Sequence, residues 1–201
     1  MSANIIPSLA SITGPVGGAY TWSYGFALSA DQNANAGLPP VVTPVPHINL
    51  TFGSFLTLYD FTGYVAGSCT APSGWSCTSQ NTGFTPDDVL PNDDPNVANI
   101  TWVYTTGPTL SGQPVGLDLG LFKAQSINNK TRFDSYTARA VKNDGPAAGT
   151  ISDNIGTTSL PTAPLDIPEP GSMALAGLAL GLLGFSARNK SSKARARSCA
   201  V

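Results

Sequence analysis

The chain has 201 residues, with 10 Lys and Arg against 12 Asp and Glu, one His and a formal net charge of −2. Only 11% of its residues are charged, well below the usual quarter or so, while Gly (21) and Pro (17) are abundant. No Lys or Arg precedes Lys123, so the body offers phosphates no basic patch, and nucleic acid is excluded as a partner.

Residues 1–160 are long enough for one domain. Within residues 1–20, two prolines and three glycines interrupt any apolar run. Residues 20–29 alternate: Tyr20, Trp22, Tyr24, Phe26 and Leu28 share one face, and Thr21, Ser23, Gly25, Ala27 and Ser29 the other. A period of two predicts a half-buried strand with its aromatic face in the core. Residues 31–46 are rich in Asn and Pro and predict a loop or irregular edge. Residues 47–52 and 55–60 predict two strands around Gly53-Ser54, as a tight hairpin or one bulged strand.

Residues 62–96 predict a long irregular stretch. Within it, Cys69 and Cys77 enclose TAPSGWS, a turn-rich loop short enough to bring the two Cβ atoms into bonding range. A disulfide is the leading expectation in an oxidising compartment; two free thiols is the alternative. Two cysteines and one distant histidine supply too few ligands for zinc. The acidic run 86–95 (PDDVLPNDDP) could gather oxygen ligands for Ca²⁺ from Asp87, Asp88, Asp93 and Asp94. The same residues also suit an exposed loop built from turn formers, and their spacing matches no EF-hand.

Residues 96–105 alternate again, with Ala98, Ile100, Trp102 and Tyr104 on one face. Residues 115–125, 132–141 and 150–158 predict three further strands. The fold class expected is all-β: an antiparallel β-sandwich or jelly roll. No convincing active site emerges, and the expectation is that the protein is not an enzyme. His47, the single histidine, sits in an apolar context (PVPHINL) that suits a structural role, and no G-x-S-x-G elbow accompanies it. Trp22 and Trp102 lie on apolar faces. Trp75, inside the cysteine loop, either packs over the disulfide or offers a ring to a sugar.

Residues 161–167 predict a proline-bearing linker that holds the domain off whatever follows. Pro168, Glu169 and Pro170 come next, then an uncharged stretch 171–187 (GSMALAGLALGLLGFSA), then a tail 188–197 carrying Arg188, Lys190, Lys193, Arg195 and Arg197. Seventeen helical residues reach about 25 Å, near the lower limit for crossing a bilayer core. The span lacks the polar face of a soluble helix. Positive flanks stay in the cytoplasm, so the tail is expected inside and the acidic body outside. Glu169 is the only glutamate in the chain, so the tripeptide does not follow from glutamate-rich composition.

These three parts, in this order at the C-terminus (residues 168–197), resemble the PEP-CTERM sorting signal of Gram-negative bacteria. The resemblance implies an exported protein held transiently in the inner membrane by its C-terminal helix. An exosortase, a membrane transpeptidase-like enzyme, would recognise the motif and remove the tail. Relatives are linked to biofilm, exopolysaccharide or surface display, so extracellular polysaccharide is an expected partner. The mature body would reside in the envelope or outside the cell. Residues 22–32 (WSYGFALSADQ), 58–63 (LYDFTG), 99–104 (NITWVY) and 120–126 (GLFKAQS) also resemble exported PEP-CTERM proteins of undefined function. The expected role is non-catalytic, at the surface or in the matrix, without a cofactor. The alternative is a glycan- or Ca²⁺-binding module of the matrix. Export also implies a signal peptide, and residues 1–20 lack its positive and apolar regions, so its start is expected upstream of Met1.

Overall fold

The computed structural model describes residues 4–164. These residues form ten strands: β1 (Ile5–Val16), β2 (Ala19–Leu28), β3 (Gln32–Ala34), β4 (Phe55–Leu58), β5 (Trp75–Gln80), β6 (Asn99–Tyr104), β7 (Leu110–Ser111), β8 (Leu117–Ser126), β9 (Lys130–Lys142) and β10 (Ile151–Thr162). β1, β2 and β8 make a three-stranded sheet, and the other seven strands make a larger one. Every strand pairing is antiparallel. The protein is an all-β sandwich over these residues.

The aromatic face of β2 fills the space between the sheets. Trp22, Tyr24, Phe26 and Leu28 are buried against Phe122 and Ala124 of β8, and against Leu56, Leu58, Ile100 and Trp102 of the larger sheet. The Phe26 ring stacks on Phe122 with centroids 4.0 Å apart, and Trp102 meets Phe26 edge-on at 5.5 Å. Such pairs add about 0.5–1.5 kcal/mol each beyond their buried area.

Burial of the larger sheet does not alternate. All six residues of β6 and all four of β4 are buried. Successive side chains point to opposite faces, so Leu56 and Leu58 face the small sheet while Phe55 and Thr57 face away. That outer face has its own small core, in which Val45, Phe55 and Val103 pack with Phe52 and Phe84. Two loops, around residues 43–52 and 83–92, therefore cover the sheet from outside. Beneath them Thr57, Tyr59, Thr101 and Thr137 share hydroxyl hydrogen bonds of 2.8–2.9 Å, and Tyr59 also meets the Thr85 hydroxyl at 2.7 Å. Burial pushes the Tyr59 phenol up to about 12.

One strand is found where none was expected, and two expectations are corrected. Residues 5–16 form β1, which lies along β2 in register Ile5 to Leu28 with a shift at Leu9–Ser11. The prolines that break an apolar run are tolerated because β1 is the outermost strand of its sheet. Residues 75–80 form β5 within the stretch expected to be irregular. Residues 47–52 form no strand. Pro46 and Asn49 instead make a turn, with Asn49 N donating to Pro46 O at 3.2 Å and Asn49 Oδ1 accepting from Thr51 N at 2.9 Å. Asn competes with ladder pairing through such local bonds.

β10 pairs with β9 over twelve consecutive residues and ends at Thr162, two residues past the expected domain boundary. Leu160 is fully buried. Among the described residues no helix is long and apolar enough to cross a membrane. The expected span 171–187 lies outside them.

Candidate functional site

The site is built by two registers. Across the larger sheet, Arg139 of β9 faces Phe55 of β4 on one side and Asp153 of β10 on the other. Its guanidinium lies 5.6 Å over the Phe55 ring. Nε donates to Asp153 Oδ1 at 2.8 Å, and Nη2 to Asp153 Oδ2 at 2.9 Å. Nη1 and Nη2 also donate to the carbonyls of Pro46 and Val45, at 2.9 and 3.0 Å. A buried guanidinium with this full set of acceptors is the arrangement such a charge requires. Burial raises the Asp153 carboxyl, against the opposite pull of Arg139 and His47.

Above this pair the two covering loops meet. Val45 N donates to Thr85 O at 2.7 Å, and Asp87 N donates to Val45 O at 3.1 Å, making a parallel bridge between Val45 and Pro86. Two residues further along each chain come His47 and Asp88. His47 Nδ1 is 3.0 Å from Asp153 Oδ2 and 3.8 Å from Asp88 Oδ2. A hollow lined by His47, Ile48, Leu50, Gly149, Thr150 and Ile151 adjoins the imidazole.

The four aspartates of the acidic run are divided between two places. Asp88 is at His47, and Asp87 contributes its backbone to the bridge. Asp93 Oδ1 accepts from Asn99 Nδ2 at 2.8 Å, and Asp94 Oδ1 caps its own turn by accepting from Asn96 N at 3.0 Å. Asp94 N donates to Asp60 Oδ1 at 2.9 Å. Asp60 and Asp134 are buried beside them, with Arg132 Nη2 at 2.8 Å from Asp134 Oδ2 and 3.8 Å from Asp60 Oδ2. Burial, the first cause, and the neighbouring Asp134 and Asp93 raise the Asp60 carboxyl, partly offset by the Asp94 amide and Arg132. The participation of Arg139 and Asp153 carried no signal in sequence. Each is a lone charge in a strand, and only the β9–β10 register makes them a pair.

Cys69 and Cys77 are joined in a disulfide, with Cα atoms 6.1 Å apart. The loop it closes ties the sheets together: Thr70 and Lys123 of β8 exchange backbone hydrogen bonds of 2.8 and 3.0 Å, while Cys77 belongs to β5. Trp75, expected either over the disulfide or presented to a sugar, is 9% exposed. It packs edge-on to Phe122 at 5.1 Å and tilted on Tyr104 at 5.2 Å. A ring so enclosed has no face left for a sugar.

Pro168, Glu169, Pro170, the span 171–187 and the basic residues Arg188, Lys190, Lys193, Arg195 and Arg197 lie outside the described residues. There the comparison with protein families is informative: a family model described as the PEP-CTERM protein-sorting motif matches residues 166–191. The match takes in the Pro-Glu-Pro tripeptide, the whole uncharged stretch, Arg188 and Lys190. No curated protein matches the chain. The chain therefore carries the PEP-CTERM protein-sorting motif, and that motif implies export and processing by an exosortase at the membrane.

Proposed function

We propose that the sandwich is a non-catalytic surface or matrix protein, delivered across the inner membrane, held there by residues 171–187, and cut by an exosortase at Pro168–Pro170. The mature body is then displayed in the envelope or released into the exopolysaccharide or biofilm matrix. The observation that carries this reading is the family match at residues 166–191. Two features of the body support it. A disulfide suits an oxidising compartment outside the cytoplasm. β10, the strand from which the chain continues toward the motif, is held by twelve register pairs to β9, so a C-terminal tether pulls against a whole ladder.

Changing Glu169 to Ala tests the reading directly. The expected outcome is uncut, tail-bearing protein that accumulates in the membrane fraction. Normal processing of this variant would remove Glu169 from the recognition element and with it the proposed route.

A further inference from the structure

We propose that His47, Asp88 and Asp153 form a binding site for a single divalent transition metal ion of the zinc class. Their ligand atoms, Nδ1 and one carboxylate oxygen from each aspartate, all lie within 4.8 Å of one another. His47 Nδ1 is 3.0 Å from Asp153 Oδ2 and 3.8 Å from Asp88 Oδ2. Ligands about 2.0–2.2 Å from a tetrahedral zinc ion stand roughly 3.3 Å apart, a spacing that the two His47 distances bracket, and the two carboxylate oxygens lie within 4.8 Å of each other.

The surrounding groups suit a metal. Arg139 uses one lone pair on each oxygen of Asp153, and its other hydrogen bonds go to the carbonyls of Val45 and Pro46. The second lone pair of Asp153 Oδ2 points to His47, where a proton on Nδ1 or a metal ion can take it. Arg139 thus fixes the ligating carboxylate as an outer-shell donor, the arrangement that orients metal ligands in general. One imidazole with two carboxylates favours zinc, copper or nickel over Ca²⁺, which takes six to eight oxygens. The side chains of His47 and Asp88 are 43% and 48% exposed, which leaves an entry path and room for water at the remaining position.

No motif of closely spaced ligands marks this site along the chain. Both carboxylates come from strands and loops distant in the chain. The metal would staple the loop at Val45–His47 and the loop at Pro86–Asp88 to β10. These are the segments that cover the outer face of the larger sheet.

The test is calorimetric titration of the full chain in detergent with ZnCl₂, with CaCl₂ alongside. The tail thiol is removed by Cys199→Ser, because Cys199 is the one cysteine outside the disulfide. One zinc ion per chain is expected, with at least tenfold weaker binding in His47→Gln and in Asp88→Asn and no comparable response to calcium. Both altered side chains are nearly half exposed, so circular dichroism should show the same β fold in each variant. No saturable zinc binding in the parent chain, or unchanged affinity in both variants, would overturn the proposal.

Discussion

Arg139 and Asp153 face each other across β9 and β10 and are joined by two hydrogen bonds, of 2.8 and 2.9 Å. Both side chains are almost wholly buried, at 2% and 0% exposure. Removing one partner strands the other charge. Asp153→Ala should therefore cost about 3–5 kcal/mol in urea unfolding. The paired replacement Arg139→Met with Asp153→Leu should cost less than Asp153→Ala, even though the Val45 and Pro46 carbonyls lose their donor. A loss below about 1 kcal/mol for Asp153→Ala would show that the pair is not desolvated as described.

Trp75 gives a prediction that separates structure from sugar binding. Its ring is enclosed by Phe122 and Tyr104. Trp75→Ala should destabilise the fold by about 3–5 kcal/mol, the range for large aromatic truncations in cores. Unchanged stability together with lost retention on exopolysaccharide would return Trp75 to a binding role.

Cys69 and Cys77 are eight positions apart. For so short a loop the chain-entropy model gives about 2–3 kcal/mol, and Cys69→Ala with Cys77→Ala should lower stability by that amount in denaturant unfolding. The same variant should also weaken the Thr70–Lys123 contact, read as faster amide exchange at those two residues. Equal stability with and without the bridge would contradict the clamping role.

Asp60 provides the pH test. Its backbone is left-handed, with φ of 54°, and its carboxyl is raised by burial and by Asp134 and Asp93. A carboxyl raised in the folded state holds its proton more tightly there than in the unfolded chain. Its contribution to stability therefore falls as pH rises from the unfolded value of about 3.9 through the higher folded value. Asp60→Asn removes that loss, accepts the Asp94 amide as before and tolerates the left-handed backbone. It should match or exceed the parent at pH 7, with its advantage shrinking toward pH 4. Asp60→Ala should lose about 1–2 kcal/mol from backbone conformation alone. An Asn variant that gains relative stability on acidification would reverse the sign and contradict the account.

Much of the core was legible because it depends on period. The alternation of Trp22, Tyr24, Phe26 and Leu28 places them in the core, and the same pattern finds β6 through Ile100, Trp102 and Tyr104. β1 was hidden because Pro7 and Pro15 break its pattern, a tolerance that an outermost strand confers. Burial on the outer face of β4 was also hidden, since Phe84 and Val103, which pack on that face with Phe55, come from far along the chain. The site at His47 was illegible for the same reason. Its ligands meet only through the Val45–Pro86 bridge and the β9–β10 register. The sorting signal, by contrast, is read along the chain in order, and a linear motif needs no fold to be seen.

The role proposed for residues 168–197 is membrane retention and cleavage by an exosortase. Intact-mass analysis with cell fractionation of the native protein from its host tests it most directly. A mature species ending near Pro168–Pro170 and recovered outside the inner membrane is the predicted result. A species retaining Val201 in every fraction, with no processed form, would contradict it.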